Sequence, residues 1–221
     1  MKREIITTLD GSTTIHLPDW NESYHSKHGA IQEAYHVFIK NGLSLFEDKS
    51  ISVLEIGFGT GLNAFITFLE ANKNKLFINY TAIEAYPVSI EEALMMNYLK
   101  KLDSQSFENI FEQMHSSNWN EKLALNEHFN FTKQKLFFQD IDNQNEFDLI
   151  YFDAFGYRVQ PELWSTTIFQ KMYNALKYKG ILVTYAARGV VKRSMQEVGF
   201  TVKKMAGPPG KREMMVAFKN I

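Results

Sequence analysis

The stretch Leu54-Glu55-Ile56-Gly57-Phe58-Gly59-Thr60-Gly61-Leu62-Asn63 constrains this chain more than any other. Before it, Ile51-Ser52-Val53-Leu54 reads as a short buried strand. After it, Leu62, Phe65, Ile66 and Leu69 fall at i, i+3, i+4 and i+7, one apolar face of a helix. Strand, glycine turn and helix together are the layout of a nucleotide-type cofactor site. Glycine lets the backbone turn sharply and approach a ligand, and the helix N-terminus offers free N–H groups. Two cofactor readings compete. A dinucleotide fingerprint is G-x-G-x-x-G, with pyrophosphate on the helix N-terminus. Here the third glycine comes one residue early, and Glu55 stands two residues before the first. A carboxylate there repels a pyrophosphate and suits a cofactor carrying positive charge, such as the ammonium of a methionine moiety. A glycine-rich turn without a ligand is the remaining reading, because such turns are common in α/β folds.

With 221 residues there is room for one sizeable α/β domain and small appendages. The sequence has no apolar run long enough to span a membrane and no N-terminal signal pattern, so a cytoplasmic location is expected. Zero cysteines exclude disulfides, thiolate catalysis and cysteine metal sites. The histidines (His16, His25, His28, His36, His115, His128) form no ligand set, and no metal is expected. Net charge is −1, but its distribution is uneven: from Lys177 onward there are ten Lys/Arg against two Glu. That asymmetry points to a basic face able to meet an anionic partner; an ordinary solvated surface is the competing reading.

Residues 1–45 read as an appendage. Glu4–Leu9 and Ser12–His16 are β-rich around an Asp10-Gly11 turn, and a helix runs through Ile31, Ala34, Tyr35, Phe38 and Ile39 to Asn41-Gly42. Residues 46–221 read as the main domain. Its second strand, Leu76–Ile83, ends in Glu84, an acid placed to bind both hydroxyls of a ribose. Ser89-Ile90-Glu91-Glu92 is a capping box. Residues 103–130 read as a helical insertion, and the third strand is expected around Lys135–Phe138, followed by Asp140. The fourth, Phe147–Phe152, delivers Asp153-Ala154-Phe155, a carboxylate beside aromatics where open α/β sheets bind ligands. A helix through Ile168, Phe169, Met172, Tyr173 and Leu176 is expected to stop at Gly180. A fifth strand and a C-terminal antiparallel hairpin, Phe200–Met205 with Met214–Phe218, complete the pattern.

E-x-G-x-G-x-G resembles the motif of S-adenosylmethionine (SAM) methyltransferases, in which an acid at the place of Asp140 commonly accepts the adenine amino group. More specifically, the chain resembles the methyltransferase domain of the bacterial MnmC family. The matching pieces are Tyr24 to Gly29 with Glu33 and Tyr35-His36-Val37-Phe38; Glu55 to Asn63; Glu84; Asp140-Ile141; Phe147-Asp148 and Asp153-Ala154-Phe155; Pro161-Glu162-Leu163-Trp164; Gly199-Phe200; and Gly210-Lys211-Arg212-Glu213-Met214. The family loop after D-A-F often reads A-P-x-x-N-P; here it is Gly156-Tyr157-Arg158-Val159-Gln160-Pro161. The family's best-known members carry a fused FAD-dependent oxidase, and a stand-alone methyltransferase without that activity is expected.

The resemblance implies a Rossmann-like α/β fold, SAM as cofactor, and N-methylation of 5-aminomethyl(-2-thio)uridine at the tRNA wobble position. It also implies tRNA as partner through its anticodon region, and a functional link to the enzymes that install the aminomethyl group. Asp153 is the expected catalytic carboxylate. Glu55, Gly57, Gly59, Gly61, Asn63, Glu84, Asp140 and Tyr24 are expected at the cofactor. Phe155, Tyr157 and Trp164 are candidates to stack the base, and Lys192, Arg193, Lys211 and Arg212 to meet phosphates. A methyl or aminopropyl transferase acting on a small molecule, and a catalytically silent RNA-binding module, are the alternatives.

Overall fold

The computed structural model describes residues 2–47 and 49–220. The chain opens with a three-stranded antiparallel sheet of β1 (Glu4–Thr7), β2 (Thr13–Leu17) and β3 (Glu22–Ser23). Asp10-Gly11 makes the expected turn. Gly11 has a φ of 80°, and the Asp10 carboxylate accepts the Ser12 N–H at 2.9 Å. Helix α1 (Ala30–Ala34) follows and widens into a π-helical turn over Tyr35–Lys40.

The main body then runs β4 (Ser50–Ile56), α2 (Leu62–Asn74), β5 (Phe77–Glu84), α3 (Ile90–Leu94), α4 (Tyr98–Lys101), α5 (Glu108–Ser116), β6 (Lys122–Asn126) and β7 (Phe129–Lys135). It continues with β8 (Phe147–Phe152), α6 (Thr166–Ala175), β9 (Leu176–Thr184), α7 (Gly189–Glu197), β10 (Thr201–Ala206) and β11 (Glu213–Phe218). One eight-stranded sheet has the order β10-β11-β9-β8-β4-β5-β7-β6. Strands β9, β8, β4, β5 and β7 are parallel, while β6, β11 and β10 are antiparallel. The C-terminal hairpin is therefore as expected.

Successive residues of the central strands feed two different cores, as the period of two demands. Val53, Tyr80, Tyr151 and Val183 pack toward α2, α5 and the N-terminal segment. Leu54, Ile83, Ile150 and Leu182 pack toward α6 and α7. Helix α2 is buried on more than the expected stripe: Leu62 to Phe68 are all inside, because the sheet covers one side and the N-terminal segment the other. In register, Ile56 faces Ile83 on one side and Phe152 on the other. The strand order reverses between β4 and β8, so the residues leaving β4, β5 and β8 emerge side by side at a topological switch point.

Three expectations are corrected. The third strand is β7, Phe129–Lys135, and the apolar run Leu136-Phe137-Phe138 is a loop beyond it. Of residues 103–130, helical turns occupy Gln105–Ser116, and after a turn the chain forms β6 and the start of β7. These strands alternate apolar and polar residues, and buried Lys133 is satisfied by the His115 carbonyl and the face of Trp119, so the run lacks a continuous apolar signature. Helix α6 ends at Ala175, ahead of Gly180. Phe147 pairs with Leu176 and Leu149 with Ile181, so the residues between Leu176 and Ile181 bulge out of the ladder.

Candidate active site

After Glu55 and Ile56 the chain turns through Gly57 (φ 93°), Gly59 (52°) and Gly61 (75°) into α2. Gly57 and Gly61 are needed for space as well as dihedral. A Cβ on Gly57 would stand 2.8 Å from the Asp153 carbonyl, and one on Gly61 would stand 2.7 Å from His115 Nε2. The loop is pinned from β5. The N–H groups of Gly57 and Phe58 donate to the Ile83 carbonyl at 2.9 and 3.1 Å, and the Gly59 N–H donates to Glu84 Oε2 at 3.0 Å. The other Glu84 oxygen accepts the Tyr86 N–H at 2.8 Å, which leaves each oxygen a further lone pair toward the cavity.

Two acids stand at the switch point, Glu55 fully buried and Asp153 partly so. Glu55 is 0% exposed; Tyr80 and Asn63 flank it and favour its ionised form, yet among the described residues neither of its oxygens closes a hydrogen bond. Burial, reinforced by the Asp153 charge, pushes it well above the usual carboxylate range. Asp153 leaves β8 and accepts from Asn63 Nδ2 at 2.8 Å. Burial and then the Glu33 charge push it up to about 7, against the pull of Asn63 and Lys211.

The N-terminal segment roofs this floor. Phe155 meets Tyr24 and Trp20 edge-on at 5.1 and 5.6 Å. Burial pushes the Tyr24 hydroxyl up to about 12. Arg3 pairs with Glu92 at 2.6 Å, Thr13 and Asn97 exchange two hydrogen bonds of 2.9 Å, and Arg158 donates to the Trp20 carbonyl at 2.9 Å. On the far side Glu33 pairs with Lys211, and His36 Nε2 lies 2.8 Å from the Ala206 carbonyl oxygen. These ties enclose a cavity of about 990 Å³ whose lining runs from Gly57, Gly59 and Glu84 to Asp153, Phe155 and Lys211. That volume is at the upper end of the roughly 300–1,000 Å³ of small-molecule sites.

A family model described as S-adenosyl-L-methionine-dependent methyltransferase matches residues 96–220, more than half of the chain. The chain belongs to this methyltransferase family. The match begins after the glycine loop, so the loop's reading stands on its own geometry. The tRNA 5-methylaminomethyl-2-thiouridine biosynthesis bifunctional protein MnmC of Marinomonas sp. (strain MWYL1) is 27% identical over 224 residues, covering 93% of this chain and 32% of that protein. The chain thus spans about a third of the length of the curated relatives it matches. Among solved structures, MNMC2 from Aquifex aeolicus superposes with a TM-score of 0.79 at 24% identity, covering 98% of this chain and 69% of that one. Spermidine synthase from Thermotoga maritima gives 0.58 at 15% identity, over 99% and 72%. Both likenesses concern the fold.

The cofactor of this methyltransferase is S-adenosylmethionine, and the site suits it. The carboxylate of Glu55 and the Asn63 Oδ1 are buried acceptors without partners among the described residues, beside a loop cleared of side chains. Such orphaned acceptors are rare in folded proteins and match a cationic ligand. Gly57, Gly59, Asn63, Glu84 and Tyr24 line the cavity with Asp153 and Phe155. Gly61 caps α2 behind the loop, and Glu55 lies beneath the lining.

Other expected site residues lie elsewhere. Asp140 is exposed, one residue beyond the lining Gln139. Trp164 is buried in the α6 core and donates its indole N–H to the Phe155 carbonyl at 2.8 Å, so it props the loop and offers no stacking face. Tyr157 lies outside the lining, under the Arg188 guanidinium at 5.5 Å. Lys211 faces inward, its ammonium on Glu33 and 3.8 Å from the Tyr185 ring centre, which removes it from the phosphate-binding set. Lys192 and Arg212 stand around Glu213 on the outer face, and Arg193 is exposed on α7. Part of the remaining basic surplus is tied up locally: Lys177 pairs with Asp148 and Lys204 with Glu213, while Lys219 is turned inward and donates to the carbonyls of Tyr173 and Leu176. Trp20, Glu33, Tyr86, Phe137 and Tyr185 line the cavity without having been singled out by role. Tyr86 and Phe137 are 67% and 45% exposed and meet edge-on at 5.8 Å at its mouth. Their signal was position: each follows the end of a parallel strand. Among the described residues no group of three or more His, Asp or Glu could hold a metal ion.

Proposed function

We propose that this methyltransferase methylates the amino nitrogen of 5-aminomethyl(-2-thio)uridine at the wobble position of tRNA, giving the 5-methylaminomethyl nucleoside. The observation that carries the reading is Asp153, a partly buried carboxylate that lines the cavity and is pushed up to about 7, at the switch point beside both the glycine loop and an aromatic wall. The names of the relatives matched along 89–93% of the chain support the substrate.

S-adenosylmethionine supplies a methyl group already electrophilic on its sulfonium. The protein's work is therefore alignment and proton handling. Gly57, Gly59, Asn63, Glu84 and Tyr24 hold the cofactor, Glu55 supplies negative charge from beneath the loop, Gly61 shapes the turn into α2, and Asp140 stands near the outer end of the site. An alkylammonium of pKa ~10.4 has no free lone pair at neutral pH. Burial lowers that value, and a carboxylate titrating near 7 can orient the amine and take its proton. Phe155, set by Tyr24 and Trp20, supplies the face for a uracil drawn out of the anticodon loop, since a base must leave its stack to be reached. Lys192, Arg193 and Arg212 present cations to phosphates of the anticodon region.

The test is methyl transfer from labelled cofactor to tRNA from a strain lacking this gene, with nucleoside analysis. Gain of 5-methylaminomethyl-type uridine at the expense of the aminomethyl form is expected. No label in tRNA from a protein that binds the cofactor would overturn the reading and favour a small amine as acceptor.

A further inference from the structure

Lys211 is the one expected surface cation that the fold turns inward. It lies in the turn between β10 and β11, and that turn is docked on the N-terminal segment. The His28 ring packs where a side chain on Gly210 would project, and His36 reaches the Ala206 carbonyl. The stem of Lys211 carries its ammonium into the cavity. There one oxygen of Glu33 receives it, while the other accepts the Ser26 N–H at 2.8 Å. Glu33 is 7% exposed, so this carboxylate is largely shielded from water and its attraction for a cation is strong. The Tyr185 ring closes the opposite side, 3.8 Å from the ammonium nitrogen, and is itself fixed by a 2.8 Å hydrogen bond to the Ala154 carbonyl. A carboxylate on one side and an aromatic face on the other is the chemistry that recognises an ammonium ion. Asp153 and Asn63 line the same cavity.

We propose that Glu33 and Tyr185 form a seat for a primary alkylammonium group, and that Lys211 is its resident occupant. A lysine side chain ends in the same group as an aminomethyl substrate: a primary ammonium on a carbon chain. An acceptor that arrives as its ammonium displaces Lys211, is held by Glu33 and Tyr185, and stands beside Asp153, which is placed to receive the proton before transfer. Lys211 then keeps the Glu33 charge neutralised between substrates. Assigning the seat to the substrate's amine rests on the acceptor reading above; binding of an ammonium ion there does not.

The experiment uses propylammonium and needs neither tRNA nor turnover. Lys211→Ala opens the seat, and propylammonium is expected to raise its melting temperature saturably, by about 3 °C at ten times the dissociation constant. The wild type, whose own lysine competes for the seat, is expected to show no rise over the same concentration range, and the Glu33→Gln/Lys211→Ala double variant, like Lys211→Ala with neutral propanol, is expected to show no saturable rise at any concentration. Should Lys211→Ala fail to fold, Lys211→Met keeps the stem and loses only the charge, and methylammonium replaces propylammonium in the same titration. Absence of saturable binding in the folded single variant overturns the seat, as does equal binding by the double variant or by the alcohol. Failure of tRNA methylation by the wild type overturns the acceptor reading and leaves this titration as it stands.

Discussion

The wall of the cavity built from β4, α2 and β5 is held by near neighbours, whereas the wall around Asp153 is held by distant ones. Glu84 reaches Gly59 across 25 residues, Asn63 reaches Asp153 across 90, and Lys211 reaches Glu33 across 178. The first wall is backbone and small residues, fixed by dihedral angle. The second is charged and aromatic side chains, fixed by one another. A wall fixed by dihedral angle tolerates little change in any glycine, while a wall of side chains can be retuned one residue at a time. The charges also differ in what they lack. Glu55 has no partner among the described residues, and Glu33 has a resident one.

The comparison breaks most visibly at Asp153, which touches both walls. Asp153→Asn should lower methyl transfer by about 10²–10⁴-fold, the usual worth of a positioned proton acceptor, with cofactor affinity nearly unchanged. In the wild type the rate should rise with pH through about 7 as the carboxylate ionises, and the Asn variant should lose that limb. The sign for stability is opposite. The folded value lies above the unfolded value of ~3.9, so the stability this proton contributes is full below ~3.9 and lost as pH rises through about 7. Melting curves of the two proteins should therefore diverge, the Asn variant gaining relative to wild type from pH 5 to pH 8. A rate profile flat across pH 6–8 in the wild type would remove Asp153 from proton transfer.

Gly61→Ala probes the local wall alone. An L-residue at φ 75° costs about 1–2 kcal/mol, and the methyl group meets the His115 ring. A loss of about 5 °C in melting temperature and of roughly tenfold in cofactor affinity is expected, the first from dye-free calorimetry and the second from titration. Unchanged affinity would show that α2 and the loop can separate from His115 without disturbing the site.

Arg212→Ala carries the smallest effect and belongs to neither wall. Cofactor binding and the pH profile should stay as in the wild type, while the slope of log affinity for tRNA against log salt should fall by about one. An unchanged slope would leave Arg212 as an ordinary solvated residue.

The same contrast governs what the sequence could reveal. The glycine loop, Glu84 and Asp153 were legible because each follows a short local run rich in β-branched, aromatic and aliphatic residues, in β4, β5 and β8. Strand β7 was not: buried Lys133 interrupts its apolar pattern, while the more conspicuous Leu136-Phe137-Phe138 is a cavity-lining loop. Trp164 and Tyr157 carried the right chemistry for a base platform, but the Phe152 and Tyr185 rings that pack on one and the Arg188 guanidinium over the other come from different elements. The inward turn of Lys211 depends on α1, and no pattern near residue 211 encodes it.

The Glu33–Lys211 tie also sets when the site can exist during synthesis. On a ribosome the residues of β4, α2 and β5 emerge early and can collapse around the glycine loop, but the wall that holds Glu33 against Lys211 waits until the chain has been made 178 residues past Glu33. A nascent chain halted before that point owns a half-built cavity with an uncompensated Glu33. Occupation of the Glu33 side of the cavity thus waits on chain made 178 residues later, whereas the wall of glycines can form without it.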